Sequence, residues 1–347
     1  APGTEFSGYG DGVYVSDQPL GPFTYQKHNP FSYKPGGFAR GAGHGATYKD
    51  LYNQWWHIST IAIGVKNNFE RRNGIWPAQI DKDGLLYSNT AYGDYPHYIP
   101  NAKANHDLSQ FTGWMLLNYN KPVQVSSTLS AFTANNAVDE NIKTYWSATS
   151  GNKGEWIQTD LGAISTIEAI QINYADEGSE LMGKYTNIYH QYQVYVSNDG
   201  KQWSLIIDKS KNTKDVPHDY VVLDKPTQAR FIKMVNIHVP DGKFAISGLR
   251  VFGKGTGKDP GTVKNFVPLR GDSERRNVWL KWAQNPNATG YHIYFGTDPN
   301  KLYNSVMVYS ASEYYLNALE KDQTYYFQIE AFNENGIGPR TPVLKAD

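Results

Sequence analysis

The sequence predicts an all-β protein, and three observations predict it. Short runs of alternating apolar and polar residues recur along the chain, they are bounded by Gly, Asn, Asp and Pro, and helical periodicity is almost absent. At 347 residues there is room for about two or three domains with real cores. In the first segment Gly12-Val13-Tyr14-Val15-Ser16 and Trp55-Trp56-His57-Ile58-Ser59-Thr60-Ile61 read as strands. Gly- and Pro-rich connections such as Lys34-Pro35-Gly36-Gly37 separate them, a texture that predicts propeller blades. From about Phe111 the alternation sharpens: Ile170, Ile172 and Tyr174 share one face, as do Tyr192, Val194 and Val196 before an Asn198-Asp199-Gly200 turn, which predicts a sandwich. Gly253–Gly261 has no apolar residue to bury and reads as a linker. Beyond it Val278, Leu280 and Trp282 alternate, then Tyr291, Ile293 and Phe295, then Tyr325, Phe327, Ile329 and Ala331, predicting a second, smaller sandwich.

Composition narrows the function. Lys plus Arg and Asp plus Glu are both 33, so the cationic excess that binding a phosphate backbone requires is missing. The absence of cysteine removes disulfide scaffolds, thiol nucleophiles and Cys-ligated zinc together. His28, His97, His106, His190, His218, His238 and His292 show no zincin-type spacing with a glutamate. No apolar stretch approaches the roughly 18 residues of a membrane span. Tyr 26, Phe 14 and Trp 9 with only 19% charged residues suit an extracellular β-protein. The opening Ala1-Pro2-Gly3-Thr4 has neither an initiator Met nor the sections of a signal peptide, and reads as a processed or truncated start.

Several motifs in order carry a resemblance for the first segment: Gly41-Ala42-Gly43-His44-Gly45-Ala46-Thr47, Trp55-Trp56-His57, Phe69-Glu70-Arg71-Arg72-Asn73-Gly74-Ile75-Trp76-Pro77-Ala78 and Asp81-Lys82-Asp83-Gly84. With the opening through Pro19-Leu20-Gly21-Pro22-Phe23, they resemble the last blades of a family-43 glycoside hydrolase, a five-bladed propeller entered partway round. Ala137-Val138-Asp139-Glu140-Asn141, Thr144-Tyr145-Trp146-Ser147, Trp156-Ile157-Gln158-Thr159-Asp160-Leu161-Gly162 and Val196-Ser197-Asn198-Asp199-Gly200-Lys201-Gln202-Trp203 resemble a discoidin (factor V/VIII type C) module, related to family-32 carbohydrate-binding modules. Trp282, Leu319, Tyr325 and Ala331-Phe332-Asn333-Glu334-Asn335-Gly336-Ile337-Gly338-Pro339 resemble fibronectin type III. The expected division is residues 1–110 for the blades, 111–254 for the discoidin module, 255–262 for the linker and 263–347 for the fibronectin-like module.

Glycoside hydrolysis needs a raised-pKa general acid and a base, about 6.5–9.5 Å apart for inversion. In the resembled family these carboxylates come from upstream blades, so no catalytic residue is expected in this chain. Asp11, Asp17, Asp50, Glu70, Asp81, Asp83 and Asp94, with Glu5, read instead as solvated turn or cap residues. The resemblance implies that His44 faces an axial cavity, where the alternative is a buried His bonded to backbone. It also implies that Arg71 reaches the sugar, Arg72 pointing the opposite way along a strand or either residue forming a surface ion pair.

In the discoidin segment Asp139, Asn141 and Thr144 lie where relatives often hold a structural Ca²⁺, although Gly248 stands where calcium-binding relatives add an acid. No other cofactor is expected. Trp146, Trp156 and Trp203 read as core rather than sugar platforms, and the loop from Glu177 to Tyr189 as either a ligand loop or a packing surface. Gly253 to Lys258 lacks the spacing of a phosphate loop, and Arg270-Gly271-Asp272 is a chance match to the integrin tripeptide.

The resemblances together imply the C-terminal part of a secreted, periplasmic or cell-surface bacterial hydrolase. Its action would be inverting and xylosidase- or arabinofuranosidase-like, its partners plant cell-wall polysaccharide and a missing N-terminal propeller half. The rivals are a non-catalytic glycan-binding or adhesion protein and a purely architectural spacer.

Overall fold

The computed structural model describes residues 9–67, 70–99, 110–180 and 187–346. Glu5, Phe69, His106 and residues 181–186 of the expected ligand loop lie outside the described residues. The all-β expectation holds: among the described residues the helical element is one 3-10 turn, Ala134–Ala137. No described helix is long and apolar enough to cross a membrane.

Three bodies of sheet follow the chain. The first is a four-stranded antiparallel meander, Arg40–Lys49, Trp55–Ala62, Arg71–Ile80 and Leu86–Ser88, preceded by two small two-stranded ribbons. The second is an eight-stranded antiparallel sheet centred on Trp156–Tyr174, which lies between Ala245–Lys254 and His218–His238. Its long central strands carry register shifts at Asp160/Ser165 and Ile167/Ala169. Such bulges bend a strand, and here they let one sheet curl over its own core. Ile157, Ile170, Ile172, Tyr192, Val194 and Ile232 fill that core with Trp146, whose ring meets Phe244 edge-on at 5.3 Å. The third body pairs a three-stranded sheet, Val267–Leu269, Val278–Lys281 and Glu313–Leu316, with a five-stranded one containing Gly290–Gly296 and Tyr325–Asn333. Every apolar residue assigned to its alternating inner face is buried there.

The strand Gly290–Gly296 is buried on both faces, not alternately. Its outer residues are covered by the first segment: the His292 ring meets Tyr92 edge-on at 4.6 Å, and Glu330 accepts from the hydroxyls of Tyr92 at 3.0 Å and Tyr294 at 2.9 Å. Tyr92, Tyr95, Met115, Leu116, Phe252, Met307 and Phe332 form one apolar cluster drawn from all three bodies. The glycine-rich stretch after the second body is also tied down. Gly255 N donates to Glu334 O, Gly257 N to Asn335 Oδ1, and the amides of Asn333 and Asn335 donate to Lys258 O.

Candidate functional site

The most heavily constrained polar site lies where the three bodies meet. Arg250 is buried on the strand Ala245–Lys254, and its guanidinium forks onto Glu140, Nε to Oε1 at 2.8 Å and Nη2 to Oε2 at 2.9 Å. Nη1 donates to Asp94 O at 2.6 Å and Gln171 Oε1 at 2.7 Å, while the Asp94 carboxylate lies 3.8 Å from Nη2 and 3.1 Å from Lys34 Nζ. Tyr309 from the third body donates to Glu140 Oε2 at 3.0 Å. Burial opposes the charge on Arg250, but Glu140 and Asp94 outweigh it and raise the guanidinium pKa. Burial likewise works against the Asp94 carboxylate, yet Lys34 and Arg250 hold its pKa below the ordinary range. Gly37, at φ +84°, lets the chain wrap this carboxylate, which accepts from Phe38 N at 2.6 Å. A Cβ at Gly37 would stand 2.6 Å from Asp94 Oδ2.

The loop from Asp139 to Thr144 is the second half of the same junction. Asp139 Oδ1 accepts from Asn141 N at 2.9 Å and Oδ2 from the Thr144 hydroxyl at 2.6 Å, while Asn141 Oδ1 accepts from Lys143 N at 3.1 Å. Lys143 Nζ donates to Gly64 O at 2.6 Å, and Ile142 packs with Phe38 and Ile63 of the first body. Burial pushes the Asp139 carboxyl up. The acid that would complete a calcium shell is replaced by Gly248, and Phe38 fills the space: a Cβ there would come 2.6 Å from Phe38 Cζ. This loop serves as a docking element.

In the first body His44 is exposed with φ +55°, its backbone N donating to Asp11 Oδ1 at 2.9 Å. The buried histidine is His57, on the adjacent strand opposite Thr47, with Nε2 3.1 Å from Asp11 Oδ2 and Nδ1 3.0 Å from Thr47 Oγ1. Arg71 is half-buried, its guanidinium 5.7 Å from the Tyr9 ring; Arg72 is exposed and pairs with Glu70 at 3.1 Å. The expected turn roles of the acids hold for Asp50 and one oxygen of Asp81, which accept local backbone N–H groups. The other oxygen of Asp81 accepts from Tyr303 and Lys301, Asp83 pairs with Lys301, and Glu70 also faces His218, 3.4 Å away. These partners stand more than a hundred residues away, so local context could not show them.

The family model for the F5/8 type C domain matches residues 122–247. That stretch is an F5/8 type C domain. No curated protein matches the chain. Among solved structures, the chain is similar to chitosan-binding module 1 of a chitosanase/glucanase from Paenibacillus sp. IK-5, at 22% identity over 40% of this chain and 99% of that one, TM-score 0.34. It is also similar to module 2 of the same enzyme in complex with chitotriose, at 24% identity over 40% and 99%, TM-score 0.34. A third is the family 32 module of C. perfringens NanJ in complex with galactose, at 20% identity over 40% and 98%, TM-score 0.34.

Within the F5/8 type C domain, Trp146 is core, its Nε1 donating to Ser127 O at 3.2 Å. Trp156 and Trp203 are half-buried and clasp the Lys233 ammonium, 4.2 and 5.5 Å from the two rings. Glu155 accepts from Ser127 and Ser150 hydroxyls at 2.8 and 2.7 Å and from Ser126, gathering two loops at one end of the domain. The start of the expected ligand loop meets the first body: Glu177 accepts from Tyr145 at 2.7 Å and Lys66 at 3.0 Å.

The junction carboxylates give the contacts a pH dependence. Hydrogen bonding from His218 lowers Glu70, that from Tyr145 lowers Glu177, and Lys34 with Arg250 lowers Asp94 against its burial, while burial raises Glu140, which acts with the opposite sign. A carboxylate with a depressed folded pKa stabilises the fold fully above its unfolded pKa, about 4, and that stability is lost as pH falls through the folded value. Burial also pushes the pKa of His190 and His292 down to about 3, so stability is lost once pH falls below about 6.5; the melting temperature should therefore decline from neutrality and fall most steeply below about pH 4. A flat profile down to pH 2.5 in a melting series would refute the assignment.

Proposed function

We propose that the chain is the C-terminal part of a secreted glycosidase, with the F5/8 type C domain as its glycan-recognition module and plant hemicellulose as its substrate. The observation that carries the glycan reading is the F5/8 type C domain itself, resembling family-32 carbohydrate-binding modules. Two further observations support the glycosidase half. The ordered motifs around His44, Arg71 and Asp81 resemble the last blades of a family-43 propeller. The first body also leaves Tyr14, Leu20, Tyr48, Leu51, Ile75 and Ile80 exposed.

On this reading hydrolysis proceeds by inversion at carboxylates supplied by preceding blades, and Arg71 supports the pocket from the side. The ion pairs and turns that occupy Glu70, Asp81 and Asp94 fit that division of labour. The test is hydrolysis of aryl-xyloside and aryl-arabinofuranoside by this chain beside a form extended at the N-terminus. Activity in the extended form alone is expected. Activity in the short chain would overturn the placement of the carboxylates, and inactivity of both with retained glycan binding would favour the non-catalytic binding protein.

A further inference from the structure

A cleft between the first and third bodies belongs neither to the F5/8 type C domain nor to the charged junction. It has a volume of about 720 Å³, within the range of ligand sites. Its walls include Tyr14, Tyr25, Tyr33, Tyr314 and Tyr315. The two sides are joined where the Tyr25 hydroxyl donates to Glu320 Oε1 at 3.1 Å. Behind the wall the Arg270 guanidinium donates to the carbonyls of Arg275, Glu320 and Gln323 and lies 5.2 Å from the Tyr325 ring. The turn bordering the cleft is thereby held in place.

At Tyr315 the cleft opens onto the outer face of the three-stranded sheet. Register sets Leu269, Trp279 and Tyr315 side by side across its strands. All three are exposed, Trp279 by 40% and Tyr315 by 47%, with ring centroids 5.2 Å apart. The next row on this face is Val267, Lys281 and Glu313. Its charges offset one another at 3.9 Å, the Lys281 ammonium lies 5.0 Å over the Trp279 ring, and Glu313 accepts from Trp279 Nε1 at 3.0 Å, which fixes the indole and leaves its other face for a ligand.

The chemistry of this surface is specific. Aromatic faces bordered by hydroxyls suit a ligand that presents both C–H faces and hydroxyl edges. Glu320 is the one charged residue among the described cleft residues, so an anionic ligand finds no cation there. A stable protein partner would bury about 1,200 Å² or more, which a three-residue row flanked by an ion pair does not offer.

We propose that the tyrosine cleft and the Leu269–Trp279–Tyr315 row form a second saccharide site, taking a neutral polysaccharide chain lengthwise. The site lies wholly outside residues 122–247 and stands independently of the glycan reading of the F5/8 type C domain.

The test is an NMR titration of the intact chain with xylohexaose, cellohexaose and N-acetylated chitohexaose, following tryptophan indole N–H signals. Trp279→Phe assigns the reporter. At least one sugar should shift the Trp279 signal, and Tyr315→Ala should weaken the affinity read at that signal about tenfold while leaving the melting temperature unchanged. A Trp279 signal unmoved by all three sugars overturns the proposal, whatever the Trp156 and Trp203 signals do; those two judge the F5/8 type C domain separately. A proline-rich peptide that shifts Trp279 where the sugars do not would overturn it as well.

Discussion

Arg250→Met should cost the protein about 3–5 kcal/mol, because it leaves Glu140 and Asp94 buried without their shared cation. The loss should appear as a lowered urea midpoint. Arg250→Lys should recover only part of it, since a single ammonium cannot reproduce the two-pronged contact with Glu140 while also meeting Asp94 O and Gln171. Adding Glu140→Gln and Asp94→Asn to Arg250→Met should restore stability toward the parent, since the desolvated charges then disappear together. If Arg250→Met alone melts like the parent, the guanidinium is not the centre of the junction.

Phe38→Ala should cost about 3–5 kcal/mol, the loss expected for emptying a large buried aromatic site. Phe38 is 1% exposed, packs with Ile63 and Ile142, and lies 4.7 Å from the Arg250 guanidinium. Two contributions are removed at once, the apolar key that seats the first body on the second and one face of the cation–π contact. Gly248→Ala tests the same contact from the other side: its methyl would meet Phe38 Cζ at 2.6 Å, and overpacking of this kind costs about 1–3 kcal/mol. Limited proteolysis should then cut within residues 9–99 before the eight-stranded sheet in both variants. Equal resistance in variant and parent would show that Phe38 does not hold the two bodies together.

Much of the fold was legible because period-2 alternation reports burial on one face. Val278, Leu280, Tyr291, Ile293, Phe327 and Ile329 were read correctly as inward-facing for that reason. The same rule is silent about a second buried face, so His292 and Tyr294 gave no signal that they would be covered by Tyr92 and Glu330. The junction was illegible for a related cause. Asp94, Lys34, Glu140 and Arg250 are each unremarkable in their own stretch of sequence, and only the tertiary fold brings them together. Gly248 did signal the missing carboxylate, but nothing local to it could name Phe38 as the occupant of the space. Arg270 belongs to a tripeptide read as a chance match to an adhesive motif, and its guanidinium is turned inward onto three carbonyls, where a surface receptor could not grip it.

The hydrogen bonds that hold the glycine-rich stretch to Asn333, Glu334 and Asn335 turn a tether into a brace. With a loose tether, two ligand sites on one chain help each other through an effective concentration set by tether length, and any ligand long enough to bridge them benefits. With a brace, the separation of the two proposed sites is fixed. The protein would then act as a ruler, favouring ligands whose repeat matches that one interval and gaining little from those that merely exceed it.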